Sequence, residues 1–162
     1  MPLLEPYTAP NRLVVDQLRR APLFAALPTD RGECLSVLRE GAVFEIPAGV
    51  EIVSPGDAPA LLVLAEGALC DKASGQAWSA GSYLGVSETL AGRPFQTVIG
   101  TVAPSVLYRL DGRLLQDFMA LCPAIASRMM ADLAEAAATL PPSGESSPCD
   151  RNGVEATKGE RR

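Results

Sequence analysis

Apolar positions along this chain follow two different periods. From Ala42 to Asp111 they come in short β-branched or apolar runs: Phe44 to Ile52 (FEIPAGVEI), Ala60 to Gly67 (ALLVLAEG) and Gln96 to Leu110 (QTVIGTVAPSVLYRL). Proline and glycine break these runs, as at Ser54 to Asp57 (SPGD), which predicts the strands of a small roll or barrel. Asp71 to Gln76 (DKASGQ) predicts a hairpin tip, and Trp78 beyond it a large apolar cover rather than a ligand platform. Outside the roll the spacing is helical. Leu13, Val14, Gln17 and Leu18 predict a helix over Arg12 to Arg20, closed at Ala21-Pro22 because a residue before proline resists the helical region. A second helix is predicted over Thr29 to Arg39, with Cys34, Leu35, Val37 and Leu38 inward and Gly41 just past its end.

After the roll come two more helical patterns, Gly112 to Leu121 (GRLLQDFMAL) and Pro123 to Leu140 (PAIASRMMADLAEAAATL), with Pro123 in a first turn that tolerates it. Ile125, Met129, Leu133 and Ala137 recur every four residues, a thin stripe that either seals the chain's own roll or pairs with a second copy. Packing on its own roll is the preferred expectation, because the stripe spans barely two heptads and ends in alanines. The final stretch, 141–162 (PPSGESSPCDRNGVEATKGERR), cannot bury enough apolar area to offset ordering and is expected to be a disordered tail. The expected organisation is therefore a flexible N-terminus over 1–10, one domain over 11–140 and that tail. The expected fold class is mainly β with flanking helices: a β-roll preceded by N-terminal helices and followed by two C-terminal helices.

Within the roll, Gly81 to Val98 (GSYLGVSETLAGRPFQTV) combines glycine punctuation with a short helical turn and then an apolar strand. Gly81 and Gly85 are suited to positive φ, and Ser87 is the expected N-cap of a turn over Ser87 to Ala91. Free amides at such an N-terminus attract anions, so the stretch is a candidate phosphate cradle.

With these residues in order, the chain resembles the cyclic-nucleotide-binding domain, the sensor module of the catabolite activator protein and of the kinase A regulatory subunit. The resemblance rests on Leu18 to Leu27 (LRRAPLFAAL), Ile46 to Ile52 (IPAGVEI), Pro55 to Asp57, Glu66, Gly67, Gly81, and Gly85 to Val98, and it covers about residues 15–135. It implies a jelly-roll (double-stranded β-helix) domain and cAMP or cGMP as the ligand class.

Two departures bear on that ligand. In the family, the glycine matching Gly85 is followed by a glutamate that accepts from the ribose 2′-hydroxyl, and Val86 stands there in this chain. Aligning the family's proline-arginine step on Pro94 places Phe95 where the phosphate-pairing arginine belongs, with Gln96 next. A charge-assisted contact of that kind is worth on the order of 1.5–3 kcal/mol, so its loss weakens binding by roughly tenfold to a hundredfold. Glu88, two places after the usual glutamate, and Arg93, two places before the usual arginine, are candidates to replace the pair. Both also read as ordinary surface charges, an acid in a first helical turn and an arginine before proline. Thr89 and Thr97 carry hydroxyls suited either to a phosphate or to turn and strand roles. The ligand-binding candidates are thus Gly85, Val86, Ser87, Glu88, Thr89, Arg93, Phe95, Gln96 and Thr97.

Composition narrows the chemistry. The 162 residues are 48% hydrophobic, enough for a core that requires no cofactor or disulfide. A formal charge of −5 argues against a nucleic-acid or anionic-membrane partner. No apolar run reaches the roughly 18–20 residues of a membrane span, and PLLEPYTAPN lacks the marks of a signal peptide, so the expected location is cytoplasmic. Histidine is absent, which removes Ser-His-Asp and Cys-His nucleophiles and the histidine-rich metal centre of cupins. Cys34, Cys70, Cys122 and Cys149 form no CxxC pair, and Cys34 and Cys122 read as small buried hydrophobes in helical patterns. No catalytic residue and no metal site is expected.

Three functions follow as expectations. The first is a non-enzymatic, stand-alone sensor domain with a degenerate phosphate cassette. It works through a protein partner, with a homodimer through helix 123–140 as one form of contact. No winged helix-turn-helix pattern follows the roll. The second is a cAMP or cGMP receptor using Glu88, Arg93 and backbone amides. The third is a cupin-like small-molecule enzyme, which the lack of histidine disfavours.

Overall fold

The protein was analysed as a computed structural model, which describes residues 18–19, 21–25, 27 and 32–138. Among the described residues, eight strands form two four-stranded antiparallel sheets. β1 (Ala42–Ile46), β8 (Ser105–Asp111), β3 (Ala60–Glu66) and β6 (Tyr83–Leu84) make one, in that order. β2 (Glu51–Val53), β7 (Ile99–Thr101), β4 (Ala68–Asp71) and β5 (Ala77–Ser79) make the other. The roll begins at Ala42 and ends at Asp111, and the hairpin tip falls between Asp71 and Ala77, as the sequence pattern predicts.

The continuous apolar run of β3 reflects burial on both faces. Leu61 and Val63 point into one core, shared with the helices, whereas Leu62 and Leu64 point into a second, between the sheets. Because side chains alternate along a strand, one sequence run supplies both cores. Val43 and Tyr108 continue the first, and Phe44, Ile46 and Leu107 the second. The Tyr108 hydroxyl donates to the Leu38 carbonyl at 2.7 Å, fastening the end of the helix Gly32–Arg39 to β8. Burial pushes that phenol well above its ordinary pKa. Gly41 is required by the same packing, since a Cβ there would strike the Tyr108 ring.

The α-helices whose bounds lie within the described residues are α1 (Gly32–Arg39), α2 (Val86–Ala91), α3 (Gly112–Leu121) and α4 (Pro123–Ala138). A short 3-10 turn, Pro22–Phe24, precedes them, and its Phe24 ring lies 6.0 Å from Phe118 of α3. Of the helix expected over Arg12 to Arg20, Leu18 and Arg19 are described, and both are helical. The remainder of it, the first residues of the helix expected from Thr29, the end of the one expected to reach Leu140, and both expected terminal segments lie outside the described residues. On α4, Ile125 and Met129 are fully buried in the first core, Leu133 packs on its edge and Ala137 is exposed, so three of the four stripe positions serve the chain's own roll.

Two sequence expectations are corrected. Cys34 and Cys122 are buried, as predicted, but they are not independent small hydrophobes: they are joined in a disulfide. Their separation of 88 residues hides the pairing from any local motif. The other concerns the start of α2, which is Val86 rather than Ser87.

The hairpin after β4 is organised by one carboxylate. Asp71 accepts from the Ala73 amide at 2.7 Å, from the Ser74 hydroxyl at 2.8 Å and from the Thr97 hydroxyl. Burial alone would raise its pKa, but these bonds outweigh burial and hold the carboxyl below its ordinary value of 3.8. A depressed carboxylate contributes stability that is complete above its unfolded pKa and is lost as pH falls through the folded one. Asp71→Asn is therefore expected to flatten the decline in stability below about pH 4, read by urea denaturation across the acid range. An unchanged acid limb would show that Asp71 does not drive it.

Candidate functional site

The Gly81 to Val98 segment is shaped by its glycines. Gly81 and Gly85 take φ of 91° and 92°, as expected. Gly85, not Ser87, is the N-cap residue of α2, which starts one residue earlier than predicted, at Val86. The physical reason is contact with β3: Gly85 lies against the Ala60 carbonyl oxygen, where no Cβ fits. The Ser87 hydroxyl instead donates to Glu88 at 2.8 Å. The helix ends at Gly92, also left-handed, whose amide reaches the Glu88 and Thr89 carbonyls. Beyond it the chain is pinned to the β2–β3 turn: the Phe95 amide donates to the Asp57 carbonyl, and the Phe95 carbonyl accepts from the Gly56 amide. The Phe95 ring thereby enters the second core, 3% exposed.

A cavity of about 520 Å³ opens beside this segment. One wall is Gly85, Val86, Ser87 and Glu88; another is Asp71, Trp78, Phe95, Thr97 and Ile99 from the roll; α4 closes it with Arg128, Asp132, Leu133 and Ala136. Tyr83 of β6 ties the walls together, donating to Asp132 at 2.6 Å. Burial, and then the hydrogen bond to Asp132, pushes the Tyr83 phenol well above its ordinary pKa, so it remains a donor across the neutral range. Arg128 donates to the other Asp132 oxygen at 3.0 Å, one turn away on α4.

The structure brings Gly85, Val86, Ser87, Glu88, Phe95 and Thr97 to the cavity wall. Thr89, Arg93 and Gln96 are not among the residues that line it. The Thr89 hydroxyl is buried and donates to the Gly85 carbonyl at 2.9 Å, locking the turn. Gln96 folds back onto the Pro94 carbonyl at 3.2 Å, and Arg93 is exposed. Trp78 packs partly against the second core, as a cover should, and also faces the cavity. Sequence reasoning missed Tyr83, Arg128 and Asp132. The four-residue spacing of Arg128 and Asp132 marks an ion pair, but nothing local shows that it faces a site 40 residues upstream.

Electrostatically the wall is acidic. Asp71, Glu88 and Asp132 line it, while Arg128, the single basic residue among the described lining residues, is engaged by Asp132. Among the described residues, no group of three or more His, Cys, Asp or Glu is placed to hold a metal ion, and no helix is long and apolar enough to cross a membrane.

No protein-family model matches the chain, and no curated protein matches it either. Solved structures do. The regulatory subunit of a cAMP-independent protein kinase A from Trypanosoma brucei superposes with a TM-score of 0.60 at 16% identity, over 74% of this chain and 46% of that one. A variant of the same subunit with three substitutions, one of them threonine to arginine, is bound to cAMP in its A site and matches equally well. PKAR CBD2 bound to Sp-2Cl-cAMPS gives 0.62 at 15% identity, over 82% of this chain and 94% of that one. The catabolite activator protein of Thermus thermophilus gives 0.59 at 22%, over 72% and 58%. This chain spans about half the length of the trypanosome subunit. At these identities the likeness is one of fold, and the chain is built on the β-roll with flanking helices shared by cyclic-nucleotide-binding domains.

Proposed function

We propose that this chain is a non-enzymatic regulatory module on a cyclic-nucleotide-binding fold, that its nucleotide cassette has degenerated, and that it acts through contact with a partner protein. The observation that carries this reading is the wall of the cavity beside α2. The positions matched to the ribose-binding glutamate and the phosphate-binding arginine hold Val86 and Phe95, both buried and apolar. The nearby carboxylates repel a phosphate, and Arg128 is held by Asp132. An anion would therefore enter without its usual partners and against the local field. The neighbours that are kinase regulatory subunits support a role exerted on another protein. The trypanosome variant found with cAMP in its A site carries a threonine-to-arginine change among its three substitutions, in keeping with an arginine partner for the nucleotide.

Isothermal titration with cAMP and with cGMP tests the reading. The wild-type protein is expected to give no saturable heat up to millimolar nucleotide. The double variant Val86→Glu/Phe95→Arg, which restores both missing partners, is expected to gain affinity by about tenfold to a hundredfold. Phe95→Arg also removes a core ring, so circular dichroism of the variant accompanies the titration. Low-micromolar binding by the wild type would overturn the proposal, and if that binding vanished in Arg93→Ala it would establish the receptor that uses Glu88 and Arg93.

A further inference from the structure

We propose that the cavity takes an organic cation, of the quaternary or tertiary ammonium class, in place of a nucleotide. This deepens the reading above and rests on it. Two partly exposed aromatic side chains line the space, Trp78 and Tyr83, with the buried Phe95 ring behind them, together with three carboxylates, Asp71, Glu88 and Asp132. Aromatic faces attract cations through the ring quadrupole, most strongly for tryptophan and in partly desolvated sites, and carboxylates add net negative potential. With Arg128 counted, the titratable groups lining the cavity sum to two negative charges, because three carboxylates face one guanidinium.

The carboxylates are not equivalent. Asp71 is committed to the hairpin and Thr97, and Asp132 to Tyr83 and Arg128. Glu88 accepts a hydrogen bond from Ser87 through one oxygen and faces no cation among the described residues. It is half-buried on the wall and is the counter-charge an incoming cation would meet. The three carboxylates come from β4, α2 and α4 rather than from one focus, and no metal-binding group forms among the described residues. A diffuse organic charge suits that distribution better than a compact metal ion. The volume, about 520 Å³, lies within the roughly 300–1,000 Å³ of small-molecule sites.

Trp78 is the sole tryptophan of the chain, so its emission reports occupancy directly. The experiment titrates choline, its uncharged carbon isostere 3,3-dimethyl-1-butanol, and cAMP into the 162-residue chain to about 10 mM, with saturation-transfer NMR of the ligand methyl protons as a second readout. Choline is expected to saturate below about 1 mM and the isostere to bind about tenfold more weakly or less. Glu88→Gln is expected to weaken choline about threefold to tenfold and leave the isostere unchanged, and Glu88→Lys to abolish choline binding, with circular dichroism unchanged in both. Equal binding of choline and its isostere, or no saturation by choline in either readout, overturns the proposal. Micromolar binding of cAMP in the same titration would instead overturn the reading of a degenerate cassette, so the two failures are distinct.

Discussion

Gly85→Ala is expected to destabilise the protein by about 3 kcal/mol or more and to remove the cavity wall at α2. Two independent penalties meet at this residue. Its φ of 92° lies in the left-handed region that an L side chain enters only with strain. A Cβ there would also collide with the Ala60 carbonyl oxygen of β3, a backbone atom that moves only if the strand moves. β3 is paired with both β6 and β8 and contributes to both cores, so a shift there spreads through the roll. Gly56 supplies the control: its φ is 93°, but nothing lies within 4 Å of its added Cβ. Gly56→Ala is expected to cost about 1 kcal/mol, and the difference between the two variants isolates the collision. Urea denaturation measures both, and the emission of Trp78 reports whether the wall has moved. Equal losses for the two variants would mean that the contact with Ala60 relaxes freely.

How far such features can be read from sequence depends on whether their cause is local. The bounds of the roll and the tip at Asp71 were legible because proline, glycine and strand-length apolar runs state them directly. The double use of β3 was half legible: ALLVLAE marks a buried strand, but which residues serve which core depends on layers placed by the rest of the chain. The cap of α2 was misread by two positions for the same reason. Serine is a good N-cap by propensity, yet close packing on Ala60 selects Gly85, and tertiary contact overrides a preference worth about 1 kcal/mol. Val86 and Phe95 could be named from the resemblance, whereas the Tyr83, Asp132 and Arg128 connection could not, since β6 and α4 are distant in sequence and meet only across the cavity. What the sequence offered was a catalogue of anion-binding candidates; what the fold assembles is an acidic, aromatic cavity.

The disulfide is the other large effect. Cys34 lies in α1 and Cys122 at the junction of α3 and α4, so the bond ties the N-terminal side of the first core to the elbow from which α4 crosses the cavity. A loop of 88 residues, closed in the unfolded chain, removes entropy equivalent to about 4–5 kcal/mol by the chain-entropy relation. Cys34→Ala/Cys122→Ala is expected to lose an amount of that order, plus a smaller contribution from the sulfur volume missing in the core. Either single variant should lose nearly as much as the double, because one alanine already opens the loop. Equilibrium denaturation of the three variants, with intact-mass analysis of the alkylated wild type, makes the comparison. If Cys34 and Cys122 are alkylated in the unfolded wild type without reductant, or if the double variant matches the wild type in stability, the bond does not stabilise this fold. A stability loss accompanied by weaker Trp78 signals would place the anchor of α4, and with it closure of the cavity, under the control of these two sulfurs.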